Sequence, residues 1–218
     1  MTDIFREVQE DVRQEQLTSL LKDHGVKIGA AIGALIVAYG AFNYWQSSQQ
    51  QQAAAASDAF GAATELLQEK DAAGAVSSFA AIRADRGSND YGLLAGFRQA
   101  EALLAQEKRG EAIGIYNGIA SDSSVDGFLR DLATLYGASV LIDDGNSSGG
   151  IAKLEGLIEE DNLLKRSAME LKAYALFNTG KRDEARDIFT ALQVETDDGT
   201  SFSSRAAQML GELGSAEE

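Results

Sequence analysis

His24 is the one imidazole in a chain that has no cysteine. Without a thiol there is no disulfide, no thiolate nucleophile, no Cys-based zinc site and no lipid attachment through sulfur. One imidazole ahead of a long apolar run cannot build a His-based triad or a His metal cluster in the residues that follow. His24 reads as a solvated or internally satisfied side chain. Carboxylates are abundant, as Asp143-Asp144, Glu159 to Asp161 and Asp197-Asp198. A calcium loop needs oxygen ligands at alternate positions, a central glycine and a glutamate beyond it. Asp143 to Asn146 lacks that pattern, so these groups read as solvated charge at turns and helix ends. Gly149-Gly150 has neither the following Lys-Ser or Lys-Thr nor the preceding strand of a phosphate-cradling loop. A carboxylate pair acting as acid and base would need spatial neighbours that a sequence does not display. The chain is therefore read as a non-enzyme with no cofactor and no metal.

The elements that carry these residues are helical. Alanine, leucine and 22 glycines with no proline, and scattered β-branched residues, give no period-two strand pattern. At 218 residues there is room for one sizeable domain behind an anchor. The formal charge is −15. Residues 1–45 hold four basic and six acidic groups, 4 − 6 = −2, which leaves 15 basic and 28 acidic groups, −13, for the rest. So acidic a surface repels phosphates and anionic headgroups, and nucleic acid is excluded as a partner.

Ile28 to Trp45 contains no charge. As a helix it rises about 27 Å, close to the hydrocarbon thickness of a bilayer. Lys22 and Lys27 precede it, and residues 46–69 contain neither Lys nor Arg. The positive-inside rule then keeps the N-terminus in the cytoplasm and exports the remainder. Tyr39, Tyr44 and Trp45 gather at the exit end, where amphipathic rings favour the headgroup level. A cleaved signal peptide is the competing reading, with Ala53 to Ala56 as the site. The apolar run is long for that role and ends well before the site, which favours an uncleaved anchor. Gly29 and Gly33 form a GxxxG pair that lets helices approach closely in lipid; a homodimer through the anchor or docking to another membrane helix are both open. Ahead of the span, Thr2 or Asp3 can cap a helix carrying Ile4, Phe5, Val8, Val12, Leu17, Leu20 and Leu21.

Beyond the anchor one template recurs: Ala, Leu three residues on, nine more to a small residue, four to a ring or Leu, three to Ile or Leu. It reads Ala63, Leu66, Ala75, Phe79, Ile82, then Ala100, Leu103, Ala112, Tyr116, Ile119. The third copy is Ala138, Leu141, Gly150, Leu154, Leu157, and the fourth Ala173, Leu176, Ala185, Phe189, Leu192. Each unit is predicted to be two antiparallel helices, with small residues where the axes come closest and the large one in the groove shared with the next unit. Turns are expected at Lys70-Asp71, Arg109-Gly110, Gly145 to Gly150 and Gly180-Lys181, and between units at Gly87, Ser124, Asn162 and Asp197. Ala207 and Leu210 begin a fifth first helix with no second, as a capping helix would. The organisation is a segment 1–27, an anchor 28–45, a helical linker 46–57, about four helix pairs over 58–199, and a capping helix and tail over 200–218. The fold class is all-α: one transmembrane helix followed by a helical-hairpin solenoid.

This alternation resembles tetratricopeptide repeats, although no copy has the first-helix Trp and the terminal Pro is missing throughout. With the anchor ending in Asn43-Tyr44-Trp45 and Tyr91-Gly92 opening a repeat helix, the layout resembles the ancillary SecYEG translocon subunit family. The resemblance implies a single-pass protein of the bacterial inner membrane with a periplasmic repeat domain. Its implied partners are the SecYEG translocon, a membrane-anchored periplasmic chaperone of the prolyl-isomerase type, and exported polypeptides. A scaffold for envelope assembly or division would need the same anchor and groove. Tyr91, Phe97 and Phe128 are the candidate partner contacts, while Tyr136, Tyr174 and Phe177 lie near template positions and read as core.

Overall fold

The computed structural model describes residues 3–86, 90–159, 161–195 and 201–214. Thr2, Gly87, Glu160, Asp197, Asp198 and the side chains up to His24 and of Ile28, all considered above, lie outside the described residues. No strand occurs among the described residues. The helices are α1 (Asp3–Gln68), α2 (Ala72–Arg86), α3 (Asp90–Leu104), α4 (Arg109–Ser121) and α5 (Gly127–Asp143). They continue as α6 (Ser147–Leu154), α7 (Lys165–Asn178), α8 (Arg182–Glu195) and α9 (Ser201–Leu213), with a 3-10 turn, Glu155–Leu157, after α6. The chain divides into two compact units, Met1–Ala55 and Ala56–Glu218.

In the second unit the core is four clusters in chain order, each built on one template copy. Ala63, Ala75, Phe79 and Ile82 share the first with Ala95 and Ala102. Ala100, Leu103, Ala112, Tyr116 and Ile119 form the second with Val125, Ala133 and Val140. Ala138, Leu154 and Leu157 meet Ile142, Ala168 and Ala175 in the third. Ala173, Leu176, Ala185, Phe189 and Leu192 meet Ala206, Met209 and Leu213 of α9 in the fourth. Leu66 and Leu141 are half-buried. Phe79, Leu103, Leu154, Phe189 and Leu192 are the largest side chains fully withdrawn from water, and each such burial stabilises by about 1.5–3 kcal/mol. Glycine is required at position 150. A Cβ there would run into Ile142 Cγ1 and lie 2.8 Å from the Ala138 carbonyl, so α5 and α6 approach more closely than an alanine permits.

Each first helix is followed by a left-handed residue at the same template position. Seven residues after the first-helix alanine the backbone turns left-handed, at Lys70 (φ 64°), Glu107 (60°), Gly145 (86°) and Gly180 (80°), and Gly214 (74°) does the same after Ala207. The next residue donates its N–H to the carbonyl of the template leucine: Asp71 to Leu66 (2.8 Å), and Lys108 to Leu103, Asn146 to Leu141 and Lys181 to Leu176 (2.9 Å each). A second bond runs from the left-handed residue to the carbonyl three back, as in Glu107 to Leu104 (2.9 Å) and Gly180 to Phe177 (3.1 Å). Carbonyls that a helix end leaves without partners are thereby satisfied. Second helices then start at once. The side chains of Asp71 and Asn146 accept from the N–H of Gly74 (2.9 Å) and Gly149 (3.0 Å), whereas Lys108 provides no side-chain cap to α4. The second turn thus closes at Glu107-Lys108, and Arg109-Gly110 open α4; Gly149 and Gly150 likewise belong to α6.

Candidate protein-binding groove and apolar span

First helices α3 and α5 both pack on α4. Their shared face carries a groove of about 510 Å³. Tyr116 of α4 is its floor, 5% exposed. Phe97 of α3 and Tyr136 of α5 complete a ring trio, with centroids 6.1 Å (Phe97–Tyr116), 6.0 Å (Phe97–Tyr136) and 5.8 Å (Tyr116–Tyr136) apart. The Phe97–Tyr136 and Tyr116–Tyr136 pairs meet edge to face, the arrangement that ring quadrupoles favour. Leu104, Leu132 and Val140 extend the apolar lining, and Arg98, Glu101, Ser139 and Asp143 supply its polar groups. Arg98 is held 2.7 Å from Glu101. Burial, reinforced by Tyr136 and Glu101, pushes the Tyr116 hydroxyl up to about 12, so it stays protonated at physiological pH. The inventory suits recognition of apolar and cationic side chains. No histidine is among the residues that line the groove with Ser139, and among the described residues no group of three or more His, Cys, Asp or Glu could hold a metal ion.

Of the expected contact residues, Phe97 lines the groove. Tyr91 packs against Phe60 in the first cluster, with centroids 6.2 Å apart. Phe128 is 43% exposed near the start of α5 and is not part of the groove lining. The three residues are not brought together. Tyr174 packs edge to face on Phe189 at 5.4 Å, and Phe177 packs against the same cluster. Tyr136 departs from the core reading, since it is 43% exposed over the groove. It stands two residues before Ala138, off the stripe that the template buries. That offset is the signal available in the sequence.

The far end of this unit is closed by α9. Arg205 makes a two-pronged pair with Glu170 of α7, at 2.5 and 2.8 Å, and lies over the Phe202 ring. Arg182 and Arg186 of α8 donate to the last carbonyls of α9, at Glu212 (3.4 Å) and Leu213 (3.3 Å).

The first unit is the N-terminal part of α1. Within Gly25–Gln68 an 18-residue window has a mean hydropathy of 1.7 and none of it is buried, so by length and composition this helix can cross a membrane. Val26, Leu35, Val37 and Tyr44 are at least 70% exposed. A core helix would have covered such side chains. A Cβ built on Gly29 or Gly33 meets nothing within 4 Å.

Stacked helix pairs with a closing helix and a groove on the first-helix face define a helical-hairpin solenoid, a class that generally serves as a non-catalytic protein-binding scaffold. The chain belongs to the tetratricopeptide repeat-like domain family, whose model matches residues 19–212. Two solved structures of a Podosopora anserina kinesin light chain with nearly identical TPR-like repeats, one of them a variant, share the fold. Both are 13% identical over 72% of this chain and 83% of theirs, with TM-scores of 0.57 and, for the variant, 0.58. No curated protein sequence matches the chain.

Proposed function

We propose that this protein is a membrane-anchored protein-binding module of the bacterial inner membrane. Its N-terminus is cytoplasmic and its repeat unit periplasmic, where it serves the Sec translocon as an accessory factor. In this reading it receives segments of exported polypeptides and hands them to a membrane-anchored chaperone. The observation that carries the reading is the presence in one chain of an apolar helical stretch with no buried residue and a tetratricopeptide repeat-like unit. Lys22 and Lys27 before the span, and the lack of Lys and Arg over 46–69, support the orientation. Photo-crosslinking from Val37 in intact membranes tests it. Recovery of translocon subunits is expected; their absence, with cell-division or envelope-assembly proteins recovered instead, would replace the secretion role by a scaffold.

A further inference from the structure

We propose that the groove between α3 and α5 binds a short cationic and apolar polypeptide segment, with an aliphatic or aromatic side chain on the ring trio and a neighbouring lysine or arginine facing Asp143. The inference rests on reading the chain as a protein-binding module and adds the chemistry of its ligand.

Three observations converge. Tyr136 is 43% exposed above a floor, Tyr116, that is 5% exposed, so the groove offers open aromatic surface on a fixed base. Aromatic rings bury large areas at little entropic cost, and their faces attract cations. Secondly, the rim is acidic in effect. Arg98 is matched by Glu101 at 2.7 Å, which leaves Asp143 as the excess charge of the lining. The chain as a whole carries −15, a field that draws cations in and turns acidic segments away. Thirdly, 510 Å³ falls within the range of about 300–1,000 Å³ typical of ligand clefts. Such a space takes a few side chains, not the flank of a folded domain. A second copy of this chain would bring its own −15, and anionic lipid headgroups meet the same repulsion.

The test uses the full chain in zwitterionic nanodiscs, with empty nanodiscs as blank. Three labelled peptides are compared by fluorescence anisotropy: one of leucine, phenylalanine and lysine, one with glutamate in place of lysine, and one with serine in place of the apolar residues. The lysine-apolar peptide should bind, and both others should bind about tenfold more weakly or worse. Tyr136→Ala should weaken binding about tenfold, measured well below the variant's own melting transition. Asp143→Lys, at the rim, should weaken it while flattening its salt dependence, and serves if Tyr136→Ala compromises folding. Equal binding of the glutamate or serine peptide, indifference to both substitutions, signal confined to the lipid, or a groove occupied by self-association that Tyr136→Ala abolishes would each overturn the proposal. The outcome is separable from the crosslinking above. Peptide binding without translocon recovery retains the groove and removes the Sec role, and the converse result removes the groove alone.

Discussion

Glu107 occupies, with φ 60°, a position where two of the four equivalent turns have glycine. An L-residue held left-handed costs about 1–2 kcal/mol. Substituting glycine relieves that strain but restores about 0.5–1 kcal/mol of unfolded-chain entropy, so Glu107→Gly should stabilise the second unit by a net of about 0.5–1 kcal/mol. Removing a carboxylate from the C-terminal end of α3 adds about 0.3 kcal/mol through the helix dipole. Glu107→Ala isolates that electrostatic part, because alanine keeps the backbone strain. For a domain of this size each kcal/mol moves the melting temperature by about 2–4 °C. Thermal unfolding followed by circular dichroism should therefore place Glu107→Gly about 1–4 °C above Glu107→Ala. Solenoids can unfold in segments, so exchange of the Glu107 and Lys108 amides, bonded to Leu104 and Leu103 at 2.9 Å each, gives the local readout and should slow. The reciprocal change, Gly145→Ala, should lose about 1 kcal/mol. Were Glu107→Gly no more stable than Glu107→Ala, or Gly145→Ala harmless, the claim that this template position is set by backbone conformation would be wrong.

Gly150→Ala should destabilise by about 1–3 kcal/mol in urea unfolding, because its Cβ has no room against Ile142 and the Ala138 carbonyl. Phe189→Ala should cost about 3–5 kcal/mol, with faster hydrogen exchange confined to α7–α9, whose cluster it centres. Tyr116 gives an alkaline signature. Its hydroxyl titrates near 10 when unfolded and about 12 when folded, so the stability it provides is complete below pH 10 and is lost as pH rises from 10 to 12. Tyr116→Phe should flatten the fall of melting temperature in that window, and absorbance titration at the tyrosinate band should lose its latest component. A double-mutant cycle on Arg205→Ala and Glu170→Ala should return a coupling of about 1 kcal/mol, the upper end for a partly exposed pair, given its two-pronged geometry.

The solenoid is legible in the sequence because its packing is encoded by size at fixed spacing. Ala75, Ala112, Gly150 and Ala185 recur where axes converge, and a ring or leucine recurs four residues later. The turns at Lys70-Asp71 and Gly180-Lys181 and the start of the one at Gly145 were legible, and the second was blurred, because Glu107 adopts the same backbone without the glycine that advertises it. That is why the second turn reads two residues late, at Arg109-Gly110. The groove was legible only in part. Phe97 stands out as an aromatic residue outside the template, but Tyr116 is a template position and Tyr136 lies beside one. Whether such a ring is covered depends on the neighbouring helix, which no local pattern records.

A comparison of the first two clusters accounts for the groove's being open. Phe60 and Phe79 meet edge to face at 5.4 Å, and their counterparts 37 residues on, Phe97 and Tyr116, meet at 6.1 Å. In the first cluster a further ring, Tyr91 near the start of α3, packs on Phe60. The next first helix is offset by 138 − 100 = 38 residues, so the counterpart of Tyr91 is 91 + 38 = 129. Leu129 does pack against the second cluster. The aromatic residue, Phe128, stands one place short, and one residue is about 100° of helix rotation. It is thereby turned off the packed face and left 43% exposed. With a leucine where the first cluster has a ring, the aromatic contact to Phe97 and Tyr116 passes to Tyr136, two turns further along α5. The space framed by Phe97, Leu132, Tyr136 and Val140 stays open. A single-residue shift in aromatic register thus distinguishes the second cluster from the first and leaves Tyr136 to frame the groove.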